Sequence, residues 1–242
     1  MNASGTGNPA RFVEHDFDDA TALAAALAVT VADQLRAAIA QRGSATLAVS
    51  GGTTPRDFLC ALADAPLQWS QVTVTLCDER WQPPQHVRSN ARLVHETLLQ
   101  GKARAAVFVP LYDDAPDPES ALPIIRQRIE RLPLPLDVVV LGLGLDGHTA
   151  SLFPDGDRFE QALDPTCESP VLPMRSASAG EARITLTLPP LAGARTWYLH
   201  IEGTDKKTVF ESSVRGEGEF ARSPMRALMQ HAQAPLNVYW CA

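Results

Sequence analysis

The run Leu136-Asp-Val-Val-Val-Leu141 does most to restrict the folds open to this chain. Val138 to Leu141 are apolar at consecutive rather than alternating positions, the pattern of a strand covered on both faces. Such strands belong to parallel sheets layered between helices. Runs of similar kind recur at 46–49, 72–77, 184–188, 197–201 and 237–241. Helical spacing is found between them: at 16–40, stopped by Arg42-Gly43, at 56–63, and at 89–99, opened by the capping residue Ser89. Further helices are predicted at 124–131, 205–214 and 223–232, and residues 110–123 read as a turn-rich loop. The alternation predicts an α/β chain: a doubly wound, mostly parallel Rossmann-like sheet with helices on both faces.

With 242 residues, 45% hydrophobic and 20% charged, the chain has core material for one such domain, and no repeat or linker divides it. A single domain is expected over 11–242, with the small polar residues 1–10 frayed. The net charge of −7 argues against nucleic acid or an anionic membrane as a broad partner. A phosphorylated small molecule would need cations concentrated locally. Cys60, Cys77, Cys167 and Cys241 show no C-x-x-C spacing, so neither a zinc ribbon nor a disulfide framework is expected, and Cys77 reads as a buried thiol. The N-terminus lacks the pattern of a secretory signal, and no window approaches 18 uninterrupted apolar residues. A cytoplasmic protein without a membrane span is the expectation; the oligomeric state is left open.

Three strand ends carry unusual loops, and open α/β sheets bind ligands at the carboxyl ends of their strands. The first is Ser50-Gly51-Gly52-Thr53-Thr54-Pro55, leading into a helix. Its glycines permit close backbone approach, its hydroxyls can donate, and exposed N–H groups at the helix start favour a phosphate. It is not a Walker A loop, and as a tight turn with capping hydroxyls it would need no ligand. The second is Asp78-Glu79-Arg80, either a solvated strand end or a site. The third, Gly142-Leu-Gly144-Leu-Asp146-Gly147-His148-Thr149-Ala-Ser151-Leu-Phe-Pro154, follows the Val-rich strand.

That third segment contains G-x-G-x-x-G, but Pro154-Asp-Gly interrupts before the long helix and second strand that a dinucleotide site requires. It reads instead as a turn presenting Asp146 and His148 at a helix start, where the helix dipole would keep the imidazole neutral and able to act as a general base. His95, His200 and His231 fall within predicted helices or a strand and lack such a setting. Arg183 and Lys206 stand near strand ends as further candidate cations. Neither G-x-S-x-G nor H-E-x-x-H occurs, and no metal cluster is indicated.

With these residues in place, the chain resembles the 6-phosphogluconolactonase family. The resemblance runs from Ala22 to Trp240 through SGGTTP at 50–55, CDERWQP at 77–83, SNARLV at 89–94, GLGLDGHTASLFP at 142–154, RITLTLPPL at 183–191 and IEGTDKK at 201–207. It implies a fold of the glucosamine-6-phosphate deaminase, ribose-5-phosphate isomerase and CoA transferase type. It also implies hydrolysis of 6-phospho-D-glucono-1,5-lactone in the oxidative pentose phosphate pathway, with no metal and no cofactor. The related deaminases resemble DGHIAFNEP and DEY where this chain has DGHTASLFP and DER. A sugar-phosphate-binding regulator without turnover is the other alternative. On the lactonase reading His148 is the base, Asp146 orients it, and Arg80 with glycine-rich backbone stabilises the oxyanion. The resemblance extends substrate-binding roles to Arg80, Arg183, Lys206 and the loop Ser50, Gly51, Gly52, Thr53 and Thr54; which cation meets the phosphate stays open.

Overall fold

The computed structural model describes residues 12–242, so the expectation of fraying at 1–10 lies outside the described residues. The strands are β1 (Phe12–Phe17), β2 (Ala45–Val49), β3 (Val72–Leu76), β4 (Asp78–Arg80), β5 (Val107–Val109), β6 (Val138–Leu141), β7 (Val171–Met174), β8 (Arg183–Leu186), β9 (Thr196–Glu202) and β10 (Leu236–Cys241). The helices are α1 (Ala20–Arg42), α2 (Arg56–Ala63), α3 (Asn90–Thr97), α4 (Pro118–Glu130), α5 (Phe159–Ala162), α6 (Leu188–Ala192), α7 (Thr204–Arg215) and α8 (Pro224–His231).

Seven strands form a parallel sheet in the order β1-β10-β9-β6-β2-β3-β5. From β2 the chain steps outward to β3 and β5; from β6 it steps the other way, to β9 and β10. Right-handed crossovers then put α2 and α3 on one face and α7 and α8 on the other, which is double winding. The reversal lies between the neighbours β2 and β6, and the crevice outside their carboxyl ends is where such sheets bind ligands. Every residue of β2 and β6 is buried, as the continuous apolar runs require.

Helix α1 is capped by Asp19, whose side chain accepts from Ala22 N, and is closed by Gly43 at φ 78°. Its 23 residues are long and apolar enough to cross a bilayer, which a search for uninterrupted apolar runs does not reveal. Here Leu23, Leu27, Val31 and Leu35 are buried, a stripe that packs α1 against β2, β10 and α2 as a core helix.

Three expectations change. Residues 184–188 do not join the main sheet: β8 lies between β4 and β7 in a separate antiparallel sheet, and Leu188 already opens α6. The Asp78-Glu79-Arg80 tripeptide is therefore a strand and not a strand-end loop. The helix expected at 124–131 begins at Pro118 and contains Pro123. Asp117 caps it and Pro118 sits at its first position; Pro123, inside the helix, forfeits the bond to the Glu119 carbonyl.

Candidate functional site

The cavity outside β2 and β6 measures about 300 Å³. Residues 50–54, Arg80, Asp146, His148, Arg183 and Lys206, the whole set singled out in the sequence, line it together. Asp78, Asn90, Phe153, Ser178 and His200 line it as well.

One wall is the loop after β6. Its turn is closed by Gly144 N donating to His148 O at 2.9 Å and Gly147 N to Gly144 O at 3.0 Å. The ring Nδ1 of His148 lies 2.5 Å from Asp146 Oδ1. An ionised carboxylate only accepts, so Nδ1 carries a proton, and in the neutral form of the ring the lone pair is on Nε2. The hydrogen bond from His148 holds the Asp146 carboxyl below the usual carboxylate range, against the opposing effect of partial burial. Phe153 stacks on the imidazole with centroids 4.4 Å apart. A Cβ on Gly144 would fall 2.3 Å from His148 Nδ1 and 2.5 Å from Asp146 Oδ1, so the pair occupies space that only glycine leaves. Residues 145–152 form turns around an isolated Thr149–Leu152 bridge, and the next helix, α5, begins only at Phe159. The expectation that a helix dipole keeps His148 neutral is thereby withdrawn, since no helix begins at the ring; Asp146 instead sets which ring nitrogen donates.

A second wall comes from the small sheet. Arg80 and Arg183 are register partners across the antiparallel β4/β8 pair, an arrangement that like charges disfavour unless something offsets it. Arg80 donates from Nη1 to Arg88 O at 2.7 Å, while its Nε is buried without an acceptor. Arg183 is buried, its Nε also lacks an acceptor, and Nη2 reaches Ala179 O only at 3.4 Å. Asp78 Oδ2 is 4.0 Å from Arg183 Nη1 but accepts its hydrogen bond from Ser151 Oγ, at 2.6 Å. Burial pulls the Arg183 pKa below its ordinary value, and Asp78 counteracts it. The buried guanidinium of Arg183 beside the half-buried one of Arg80, each with an Nε that lacks an acceptor, forms a pole suited to an anion.

Behind Arg80, the fully buried Glu79 accepts from the backbone of Arg80, Asn90 and Ala91 and from Ser89 Oγ, at 2.7–3.1 Å. It seats the start of α3, so this acidic residue of the tripeptide is structural. Asn90 donates to Asp78 O at 2.9 Å and lies under Gly51, where a Cβ would come within 1.8 Å of its Oδ1. Asn90 went unnoticed in the sequence; its position in SNARLV gave no hint of a partner in another loop.

The third wall is the loop after β2 and the start of α7. Lys206 Nζ donates to Thr54 Oγ1 at 3.0 Å. Gly142 N donates to Ser50 Oγ at 3.3 Å, joining the first and third loops. His200, set aside in the sequence as a strand residue, lies buried beside Lys206, with Nε2 3.1 Å from Glu202 Oε1. Burial, helped by the Lys206 charge, lowers its pKa to about 4. Cys77 is a buried thiol, as expected, with burial raising its pKa. Among the described residues, no group of three or more His, Cys, Asp and Glu side chains converges as a metal site would require.

Residues 18–240 match the sequence profile of the glucosamine-6-phosphate isomerases/6-phosphogluconolactonase. The chain belongs to that family. Within it, the chain is 50% identical to the 6-phosphogluconolactonase of Rhizobium meliloti, covering 93% of this chain and 97% of the relative. It is 44% identical to that of Pseudomonas aeruginosa, over 88% of each. The crystal structure of a 6-phosphogluconolactonase from Shewanella baltica superposes with a TM-score of 0.90 at 37% identity, covering 96% of this chain and 98% of that one. The family fold is thus the doubly wound sheet described above.

Proposed function

We propose that the chain hydrolyses 6-phospho-D-glucono-1,5-lactone to 6-phospho-D-gluconate, the lactonase step of the oxidative pentose phosphate pathway. The observation that carries this reading is that the His148–Asp146 pair lines one cavity with Arg80 and the buried Arg183, whose Nε atoms both lack an acceptor. His148 Nε2 takes a proton from water as the water oxygen attacks the lactone carbonyl carbon. Arg80 and the glycine-rich backbone of residues 142–144 stabilise the tetrahedral oxyanion. Collapse breaks the bond from carbonyl carbon to ring oxygen, the imidazolium returns its proton to that oxygen, and the new carboxylic acid ionises to solvent. Asp146 stabilises the imidazolium in between. The phosphate is assigned to Arg183, beside Arg80, with Lys206 and residues 50–54 holding sugar hydroxyls.

Phe153, stacked on His148, stands where the deaminase pattern DGHIAFNEP has its glutamate, which favours hydrolysis over ring opening and deamination. The reading includes a cytoplasmic enzyme that uses no metal or cofactor and acts on a small molecule.

The test compares the 6-phospho-lactone with unphosphorylated glucono-lactone at mildly acid pH, with spontaneous hydrolysis subtracted. Rapid turnover that favours the phosphorylated substrate is expected. A rate no faster than the background, or deamination of glucosamine 6-phosphate instead, would overturn the proposal. Gly144→Ala gives an independent check, since its Cβ must displace the His148–Asp146 pair. Displacement of about 1 Å is enough to cost about 10²-fold in kcat/KM, with Tm little changed. Unaltered turnover by this variant would mean that the pair's geometry does not matter to the reaction.

A further inference from the structure

Two loops pass beside the arginine pole: 81–89, from β4 to α3, and 175–182, from β7 to β8. Glu181 ties them together. Its Oε2 accepts from Gln82 Nε2 at 3.0 Å. Its Oε1 lies 2.7 Å from Arg88 Nη2 and 3.7 Å from Arg183 Nη2, and is buried without a directed hydrogen bond. Only 11% of the side chain is exposed. Glu181 is not part of the cavity wall, but its charge faces Arg183, which is. Arg88 joins the same network through its carbonyl, which accepts from Arg80.

We propose that Glu181 is an internal counter-anion that weakens the hold of the arginine pole on phosphate. It acts through Arg88 and Arg183 and is therefore a positioning residue. The inference deepens the lactonase reading and rests on it. The chemistry gives such a device a purpose: hydrolysis converts a neutral lactone carbonyl into a carboxylate, so the product carries one more negative charge than the substrate. Asp78 opposes Arg183 at 4.0 Å and Glu181 adds a second fixed charge at 3.7 Å; with one opposing charge fewer the arginines would retain that product more strongly. Screening by water is weak at such a site, so one carboxylate at these distances has a large effect on anion affinity.

The test is the affinity for inorganic phosphate, measured by calorimetry and as competitive inhibition of lactone turnover, in wild type, Glu181→Gln, Glu181→Asp and Arg183→Met. Glu181→Gln keeps an acceptor for Gln82 and removes only the charge. It should bind phosphate about tenfold more tightly, with a parallel fall in the inhibition constant of 6-phosphogluconate. Glu181→Asp, which keeps the charge, should stay within about twofold of wild type. A purely structural tether predicts the opposite sign, because loosening the two loops would disorder Arg88 and Arg183. Equal or weaker phosphate binding by Glu181→Gln, while Arg183→Met still loses it, overturns the counter-anion alone. Unchanged phosphate affinity in Arg183→Met overturns the phosphate assignment beneath it.

Discussion

His148→Asn is expected to fold like the parent and to lose about 10²-fold or more in kcat/KM, the usual contribution of a positioned base. Two features separate function from folding here. The imidazole is half-buried on a turn whose closure is made by backbone groups of Gly144, Gly147 and His148, which asparagine retains. Its one large packing contact is the stack on Phe153, a class of contact worth about 0.5–1.5 kcal/mol. Asparagine supplies no lone pair of comparable basicity where Nε2 stood. The loss should fall on kcat, because a base acts on the water and not on the bound sugar. Asp146 has the depressed carboxyl, so it stays ionised above the ordinary carboxylate range, and its support for the loop is lost only as pH falls through that lowered value. An assay at mildly acid pH therefore does not disturb the partner while the base is tested. A folded variant with near-normal turnover would remove His148 from the mechanism.

Arg183→Met should raise KM for the phosphorylated lactone by tenfold or more and leave the unphosphorylated lactone nearly untouched. A charge-assisted hydrogen bond of this class is worth roughly 1.5–3 kcal/mol, which corresponds to about ten- to hundredfold in affinity. Methionine fills part of the buried volume beside Phe153, whose ring centroid lies 5.7 Å from the guanidinium carbon. Its removal leaves Asp78 with one opposing charge fewer, and Ser151 Oγ still donates to that carboxylate. Some loss of Tm is expected on this account, so kinetics should be compared well below the transition. The matched variant is Lys206→Ala, beside Thr54 in the same cavity. If Lys206→Ala loses discrimination between the two lactones and Arg183→Met does not, the phosphate belongs beside Thr54 and the poles are reversed.

The sequence by itself determined the long or strongly patterned elements and the identity of the site loops. β2, β6 and β9 were legible because a strand buried on both faces must be apolar at nearly every position. α1 was legible because a stripe repeating over 23 residues has no other use. The loops at 50–55 and 142–154 declared themselves through residue types that only turns and chemistry require. Tertiary structure decided the rest. β4, β5 and β7 have three or four residues each, too few for a period to show, and become strands only because distant partners complete their hydrogen bonds. β1 has an exposed, polar edge pattern, FVEHDF, and owes its place to pairing with β10 at the other end of the chain. The turn at 145–152 looked like a helix start because local sequence does not reveal that Ser151 is held by Asp78 and Thr185. In the same way, Asn90 beneath Gly51 and Glu181 beside Arg88 are pairings across tens of residues, and His200 meets Lys206 only because α7 folds back on β9. Charge and hydrogen bonding act over a few ångströms of space, and the sequence supplies the groups without saying which of them the fold will bring that close.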